Sequence, residues 1–125
     1  MPITYLINNE RKIIFARGSG VIAYEDLRSH LASRSSSPAR QYALLFDLTG
    51  TKTSISPDEM RAIVNQRFQI ASHVPPSPVA FAASDDNVYA LLRMMEMMTE
   101  RLRPIGVFRT VEDAEGWLHG LTGRT

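Results

Sequence analysis

The first seventeen residues alternate apolar and polar side chains. Ile3, Tyr5 and Ile7 lie on one side of an extended chain, and a similar alternation returns over residues 12–17. The intervening residues 8–11 include two asparagines, which tolerate the left-handed backbone that tight turns need. A period of two residues on both sides of a turn predicts a β-hairpin.

Three later runs are apolar on both faces and cover residues 42–48, 79–83 and 105–108. Runs of this kind are typical of central strands that helices cover on both sides. Helical patterns flank these runs. The predicted helices cover residues 24–34, residues 57 to just before Pro75, residues 85–103, and the segment that follows Thr110.

The second helix has a clear start. Ser56 precedes Pro57, and Glu59 follows the serine by three positions, which is the spacing of a capping box. The apolar stripe predicted for this helix comprises Met60, Ile63, Val64, Phe68 and Ala71.

The order of elements is strand, strand, helix, and then strand and helix three times. This order predicts an α/β fold with a mixed, mostly parallel five-stranded sheet, an antiparallel N-terminal hairpin and four helices. The chain has 125 residues and no long linker, so we expect one domain over residues 1–121 and a flexible tail over residues 122–125.

Several short segments are similar to those of one known family. They are the opening hairpin, the glycine-containing stretch Gly18–Val21, the Asp-Leu-Thr-Gly sequence at Asp47–Gly50, the strand end Phe81–Ser84, and Val107–Arg109 with Trp117 and Leu118. Together they resemble the STAS-like family, also described as SpoIIAA-like or STAS/SEC14-like, over nearly the whole chain. The closest branch in appearance holds small stand-alone bacterial proteins of unknown function.

The resemblance implies a candidate switch. In anti-sigma-factor antagonists of this fold, a serine is phosphorylated in an Asp-Ser-Ser-Gly helix start that follows the strand end. Here Ile55 precedes Ser56 and Pro57 follows it, which departs from that pattern. Ser56 is therefore either a switch or simply an N-cap worth about 1 kcal/mol. The candidate switch or anion-binding loop comprises Asp47, Thr49, Thr51, Ser54 and Ser56.

Catalytic signals are sparse. Residues 18–23 fit the glycine spacing of dinucleotide sites, but two glycines at a tight strand-to-helix turn also explain it. The chain has no cysteine, and its three histidines, expected at the surface or its boundary, lack ligand spacing. Asp47 at a strand end has no histidine or lysine partner in sequence, so we expect it to cap the following loop. We predict no catalytic residue, no metal site and no cofactor.

The third helix is rich in methionine. Its cap is expected at Ser84, and its predicted core stripe comprises Val88, Leu91, Leu92, Met95, Met98 and Leu102. Met94 and Met97 fall outside this stripe, and exposed methionines favour adaptable contact surfaces. The candidate interaction face comprises Tyr89, Arg93, Met94, Met97 and Arg101.

Charge and hydropathy narrow the range of partners. Fourteen basic and thirteen acidic residues are interleaved, without the basic stripe of nucleic-acid-binding proteins. No apolar run approaches the roughly 20 residues that span a bilayer, and the N-terminus lacks the pattern of a secretory signal. The absence of cysteine fits a cytoplasmic protein, which is the expected location.

Three functions remain open. The first is a non-enzymatic STAS-like interaction or regulatory module that binds a protein partner or forms a homodimer. The second is a small-ligand carrier for a lipid-like molecule or a nucleotide, which requires an apolar pocket of roughly 300 Å³ or more. The third is an enzyme that uses Asp47 with the hydroxyl groups around it.

Overall fold

The alternating N-terminus and the three apolar runs form one sheet. A computed structural model describes residues 2–73, 77–102 and 104–122. Its strands are β1 (Ile3–Asn8), β2 (Ile13–Gly18), β3 (Val21–Ile22), β4 (Ala43–Asp47), β5 (Lys52–Thr53), β6 (Val79–Ala82) and β7 (Ile105–Phe108). Its helices are α1 (Tyr24–Ser35), α2 (Pro57–Ala71), α3 (Asp86–Met98) and α4 (Val111–Thr122). Most of the predicted tail, residues 123–125, lies outside the described residues.

Backbone pairing confirms the predicted fold class. β1 and β2 are antiparallel, from Ile3 opposite Gly18 to Asn8 opposite Ile13. The pairs β2–β4, β4–β6 and β6–β7 are parallel, which gives the order β1-β2-β4-β6-β7. The hairpin therefore occupies one edge of the sheet, and β7 occupies the other.

The sequence did not predict a second, two-stranded sheet. β3 pairs in parallel with β5, and the Lys52 amide donates to the Gly20 carbonyl at 3.0 Å. Gly20 has φ 68°, which L side chains rarely adopt. The glycine segment thus turns the chain between two strands, and the helix predicted from Tyr24 begins there, after the unpredicted strand β3. Strands of two residues are too short to show a period.

Successive residues of β4 point to opposite faces of the sheet. Leu44 and Phe46 pack in the larger core cluster, together with buried residues of α1, α2 and α3. Ala43 and Leu45 pack in a smaller cluster with residues of α4. Three helices therefore cover one face of the sheet, and α4 covers the other. This two-sided burial explains why the predicted central strands are apolar throughout.

The predicted stripe of α2 was wrong at one position. Phe68 is 42% exposed, whereas Arg67 is only 6% exposed and faces the core. Met60, Val64 and Arg67 recur at the i, i+4, i+7 spacing of a helix face. A charged residue on that face was passed over because arginine is seldom fully buried.

Helix α3 is shorter than predicted. Its N-cap is Asp85 rather than Ser84, and the helix ends at Met98. The buried Thr99 hydroxyl donates to the Met95 carbonyl at 2.8 Å, and the chain continues as a turn. Arg103, the predicted last residue of the helix, lies outside the described residues.

The predicted exposure of two methionines on α3 was wrong. Met98, assigned to the core stripe, is 39% exposed, whereas Met94, assigned to the interaction face, is partly buried against the larger core cluster. The helix is rotated about its axis relative to the expected orientation, because its contact is with β7 and with α2 at once.

Candidate functional site

Asp47 closes the turn that follows β4. Its Oδ1 accepts hydrogen bonds from the Thr49 amide at 3.0 Å and from the Thr49 hydroxyl at 2.5 Å. Its other oxygen lies 3.9 Å from Nε of the exposed Arg17. This is the loop-capping role expected of Asp47, and it engages both carboxylate oxygens.

An open groove of about 300 Å³ lies where β4 and β6 end. Its lining comprises Gly50, Thr51, Lys52, Ser84, Asp85 and Asp86. Gly50, at φ 78°, donates its amide to the Ser84 hydroxyl at 2.9 Å and joins the two strand ends. The position agrees with the general rule that open α/β sheets bind ligands at the carboxyl ends of their strands.

Charges in this groove are already paired. The Lys52 ammonium lies 2.5 Å from Oδ1 of Asp85. This hydrogen bond raises the pKa of Lys52 and lowers the pKa of Asp85. Because the lining carries two carboxylates and one ammonium group, an anion finds no unpaired cation there.

The structure does not bring the five predicted loop residues into one cluster. Thr51 borders the groove but is fully buried, and it donates its hydroxyl to the Leu48 carbonyl at 2.7 Å, so the prediction that this hydroxyl binds an anion was wrong. The strand β5 separates the Asp47–Thr49 turn from Ser54 and Ser56.

Ser56 is a complete N-cap. Its hydroxyl accepts the Glu59 amide at 3.1 Å, and its own amide donates to Oε1 of Glu59 at 2.9 Å. These two bonds form the capping box that the sequence predicted. The hydroxyl is also exposed at the start of α2, where a phosphate would meet the positive end of the helix dipole.

The interaction face predicted on α3 is partly assembled. Arg93 and the 64%-exposed Met97 line an open groove of about 340 Å³ against the edge strand β7. The sequence missed the other lining residues, Glu96, Glu100, Pro104 and Ile105, because only the fold brings β7 beside α3. Arg101 is exposed in the turn beyond the helix.

Tyr89 lies apart from that groove. The Arg109 guanidinium stacks on its ring, with the central carbon 4.0 Å from the ring centre. Arg109 also bonds to Asp86 at 3.0 Å and to the Ser84 carbonyl at 3.1 Å. Tyr89 therefore belongs with the structural contacts at the start of α3.

A more apolar surface, which the sequence did not single out, lies at the opposite edge of the sheet. Tyr5, Leu6 and Ile7 of β1 are all exposed, and Leu6 is exposed by 71%. The signal was present in the sequence as three consecutive large apolar residues inside a strand that was expected to alternate.

A polar cluster lies between β1 and α1. His30, expected near the surface, is buried; its Nδ1 and the Tyr5 hydroxyl form a hydrogen bond of 2.6 Å, and its ring contacts Phe46. Four residues further along α1, Arg34 donates from Nη2 to the Tyr42 carbonyl and to the Ser77 hydroxyl, each at 2.7 Å. Beside this cluster is a cavity of about 150 Å³.

No protein-family model matches the chain, and no curated protein matches its sequence. Among solved structures, it is similar to an uncharacterised protein of the DUF3478 family from Shewanella loihica PV-4, described as having a SpoIIAA-like fold. The two share 17% sequence identity over 93% of each chain, with a TM-score of 0.60. The fold is SpoIIAA-like.

This SpoIIAA-like fold confirms the resemblance seen in the sequence and leaves the function open. Across residues 2–73, 77–102 and 104–122, no group of three or more histidine, aspartate or glutamate side chains is arranged to hold a metal ion. In the same part of the chain, no helix has the length and apolar character needed to cross a membrane.

Two cavities bear on the carrier hypothesis. The cavity beside α1 measures about 150 Å³, and a void in the larger core, lined among others by Phe46 and Arg67, measures about 20 Å³. Both are below the roughly 300 Å³ typical of sites for drug-sized ligands. Neither space is large enough for a whole lipid.

Proposed function

We propose that this SpoIIAA-like domain is a protein-interaction module that acts without catalysis and docks a second copy of itself at β1. The observation that supports this most directly is the exposed apolar run Tyr5–Ile7 on an edge strand. Tyr5 and Ile7 lie on one face of this edge and Leu6 on the other, and exposed apolar residues grouped in this way are typical of protein contact sites.

The backbone of β1 is available for pairing. Among the described strands, β1 pairs only with β2, so its outer amide and carbonyl groups face away from the sheet. Natural edge strands are usually protected from further pairing by charged residues, proline or bulges. Residues 3–8 contain none of these protective side chains.

The chemistry of β1 favours a second copy as the partner. In a twofold contact, the same strand meets itself in antiparallel orientation. Because residues 3–8 carry no charge, no like charges meet across such a contact. Pairing of the two β1 strands would join two five-stranded sheets into one of ten strands and bury the Leu6 side chains of both copies.

The groove on α3 is the second candidate surface. Met97 is its most exposed apolar residue, and the charged residues Arg93, Glu96 and Glu100 surround it. Arg93 and Glu96 pair with each other at 2.6 Å, so this face offers little unpaired charge to a partner. It supports docking less strongly than β1.

A non-catalytic role is supported by the way Asp47 is used. Its Oδ1 is bonded within the turn, its Oδ2 lies 3.9 Å from Nε of Arg17, and it does not line the groove at the strand ends. Of the other predicted loop hydroxyl groups, that of Thr49 is donated to Asp47 itself, that of Thr51 is buried, and those of Ser54 and Ser56 lie beyond β5.

Sedimentation velocity and native mass spectrometry test the docking proposal. We expect wild-type protein to form a dimer of twice the 14.0 kDa chain mass, and Leu6→Lys to remain monomeric. Val21→Lys replaces an exposed apolar residue away from β1 and serves as the matched control. It should dimerise like the wild type.

Two outcomes contradict the proposal. If the wild type stays monomeric at about 0.1 mM, corresponding to binding weaker than about 5 kcal/mol, self-association at β1 is wrong. If Met97→Asp abolishes the dimer while Leu6→Lys keeps it, the interface lies on α3, as the sequence predicted.

A further inference from the structure

Two helical arginines lie on the side of the sheet that carries the larger core cluster. Neither has an acidic partner among the described residues. Arg67 of α2 is 6% exposed, and Arg34 near the end of α1 is half-buried. No carboxylate in the described part of the chain forms an ion pair with either guanidinium. Buried charges in proteins are almost always paired or hydrogen-bonded, because taking them out of water is costly.

Several of their donors find no acceptor within residues 2–73, 77–102 and 104–122. Arg34 uses Nη2 fully, but its buried Nη1 has no partner. In Arg67, Nη1 contacts only the Met95 sulfur at 3.8 Å, and Nε and Nη2 have no partner. Unsatisfied buried donors are rare in native proteins, and each calls for an explanation, among which is a bound ion or water molecule.

The guanidinium groups of Arg34 and Arg67 both lie beside the cavities on this side of the sheet. The pKa of each arginine is lowered to about 10, mainly by burial, and the charge of Arg34 contributes to the lowering for Arg67. His30 and Leu44 line both the cavity beside Arg34 and the small void beside Arg67. The positive charges therefore reinforce each other at the wall that separates the two spaces.

The cavity beside Arg34 has apolar walls. Tyr5, Ile7, Ile14 and Leu44 contribute side chains, while Ser33 and Ser37 add hydroxyl groups. Its volume of about 150 Å³ is similar to that of an engineered apolar cavity that holds one benzene molecule. Its walls suit a small apolar group better than a hydrated ion.

We propose that this cavity binds a small organic oxyanion, a carboxylate or a phosphate, attached to an apolar group no larger than a benzene ring. The oxyanion binds the guanidinium of Arg34, which lines the cavity, and the nearby charge of Arg67 adds to the positive potential there. The apolar group contacts Ile7, Ile14 and Leu44. Because Nη2 of Arg34 is already anchored, the guanidinium is positioned before the ligand arrives.

Calorimetric titration with benzoate, phenyl phosphate, inorganic phosphate and benzyl alcohol tests this site. Benzyl alcohol keeps the ring but lacks the charge, and inorganic phosphate keeps the charge but lacks the ring. We expect at least one ring-bearing anion to bind at least about tenfold more tightly than either of these controls. Preference for benzoate or for phenyl phosphate then identifies the oxyanion as carboxylate or phosphate.

Variants locate the binding. Arg34→Met keeps a long side chain without charge and should weaken binding of the preferred anion by at least about tenfold. Arg11→Met is the matched control, since Arg11 also has a buried Nε without a partner but bonds to His119 of α4, on the other face of the sheet. Its affinity should stay within about twofold of the wild type.

A second measurement does not depend on the folding of a variant. In wild-type protein, the guanidinium Nε–Hε NMR resonances of Arg34 and Arg67 should shift saturably with the preferred anion and not with benzyl alcohol. If neither anion saturates these shifts below about 10 mM, the proposal is wrong. Equal affinity for inorganic phosphate would also overturn it, because the apolar walls would then contribute nothing.

The two proposals are separable. Leu6 alternates with Tyr5 and Ile7 along β1, so its side chain points to the sheet face opposite the cavity. Leu6→Lys should therefore abolish the dimer and leave anion binding unchanged, whereas Arg34→Met should do the reverse.

Discussion

Replacing Arg67 by methionine should stabilise the protein in buffer free of organic anions. The guanidinium lies in the core between α2 and α3, where two of its nitrogens lack acceptors. Methionine has a similar length, carries no charge and packs well in irregular spaces. Its sulfur would lie close to Met95, which already contacts Arg67.

The magnitude follows from the electrostatic penalty at this position. Burial lowers the pKa of Arg67 from its ordinary value to about 10, and each pKa unit corresponds to about 1.4 kcal/mol. The charged side chain therefore costs the folded state on the order of 3 kcal/mol. Imperfect packing of the new side chain offsets part of the gain, so we expect the free energy of unfolding to rise by roughly 1–3 kcal/mol.

The pH dependence has a definite sign. The folded state releases the Arg67 proton near pH 10, whereas the unfolded chain holds it to higher pH. Above that pH the unfolded state binds more protons, so wild-type stability gains a favourable contribution as the pH rises. Well below pH 10, Arg67 is fully charged in both states, and the folded state bears the whole cost of burying that charge. The gain in stability from Arg67→Met should therefore be constant from about pH 6 to pH 8.

Urea unfolding at pH 7, followed by circular dichroism, measures the change. Arg61→Met on the exposed side of the same helix is the control, and we expect it to change stability by no more than about 0.5 kcal/mol. A loss of about 1 kcal/mol or more in Arg67→Met would refute the reasoning, since it would mean that the guanidinium makes favourable contacts in the folded protein.

Four other predictions follow from local geometry. Gly106→Ala should destabilise the fold by about 1–3 kcal/mol, because a Cβ there would lie 2.6 Å from an aromatic carbon. Gly116 has open space around it, so Gly116→Ala should stabilise α4 by about 0.5–1 kcal/mol. Urea unfolding checks both. Ser56→Ala should cost about 1 kcal/mol in the same assay by removing the cap of α2. Lys52→Met should raise the pKa of Asp85 only partway to its ordinary value, because backbone amides still bond to it; carboxylate NMR titration measures this.

Features that depend on neighbouring residues were predictable. The hairpin, the buried strands, the capping box at Ser56 and the turn closed by Asp47 all involve residues a few positions apart. For these, the spacing of side chains along the chain already fixes which groups can meet.

Features that depend on contacts between distant segments of the chain were not predictable from the sequence. The β3–β5 pair joins residues about 30 positions apart, and the groove on α3 needs β7 beside it. The rotation of α3, which buries Met94 and exposes Met98, is set by docking onto two elements at once. Helical periodicity gives the relative angles of side chains and leaves open which sector faces the core.

The sequence by itself determined the order of the five main strands and four helices, the mixed sheet and the SpoIIAA-like resemblance, because patterning and capping are local. Only the tertiary structure decided that Arg34 and Arg67 lie under the helices without acidic partners and that Tyr5, Leu6 and Ile7 stay uncovered at a sheet edge. Burial of a charge and exposure of an apolar run both run against the average behaviour of those residue types. Packing of the whole chain is what sets them.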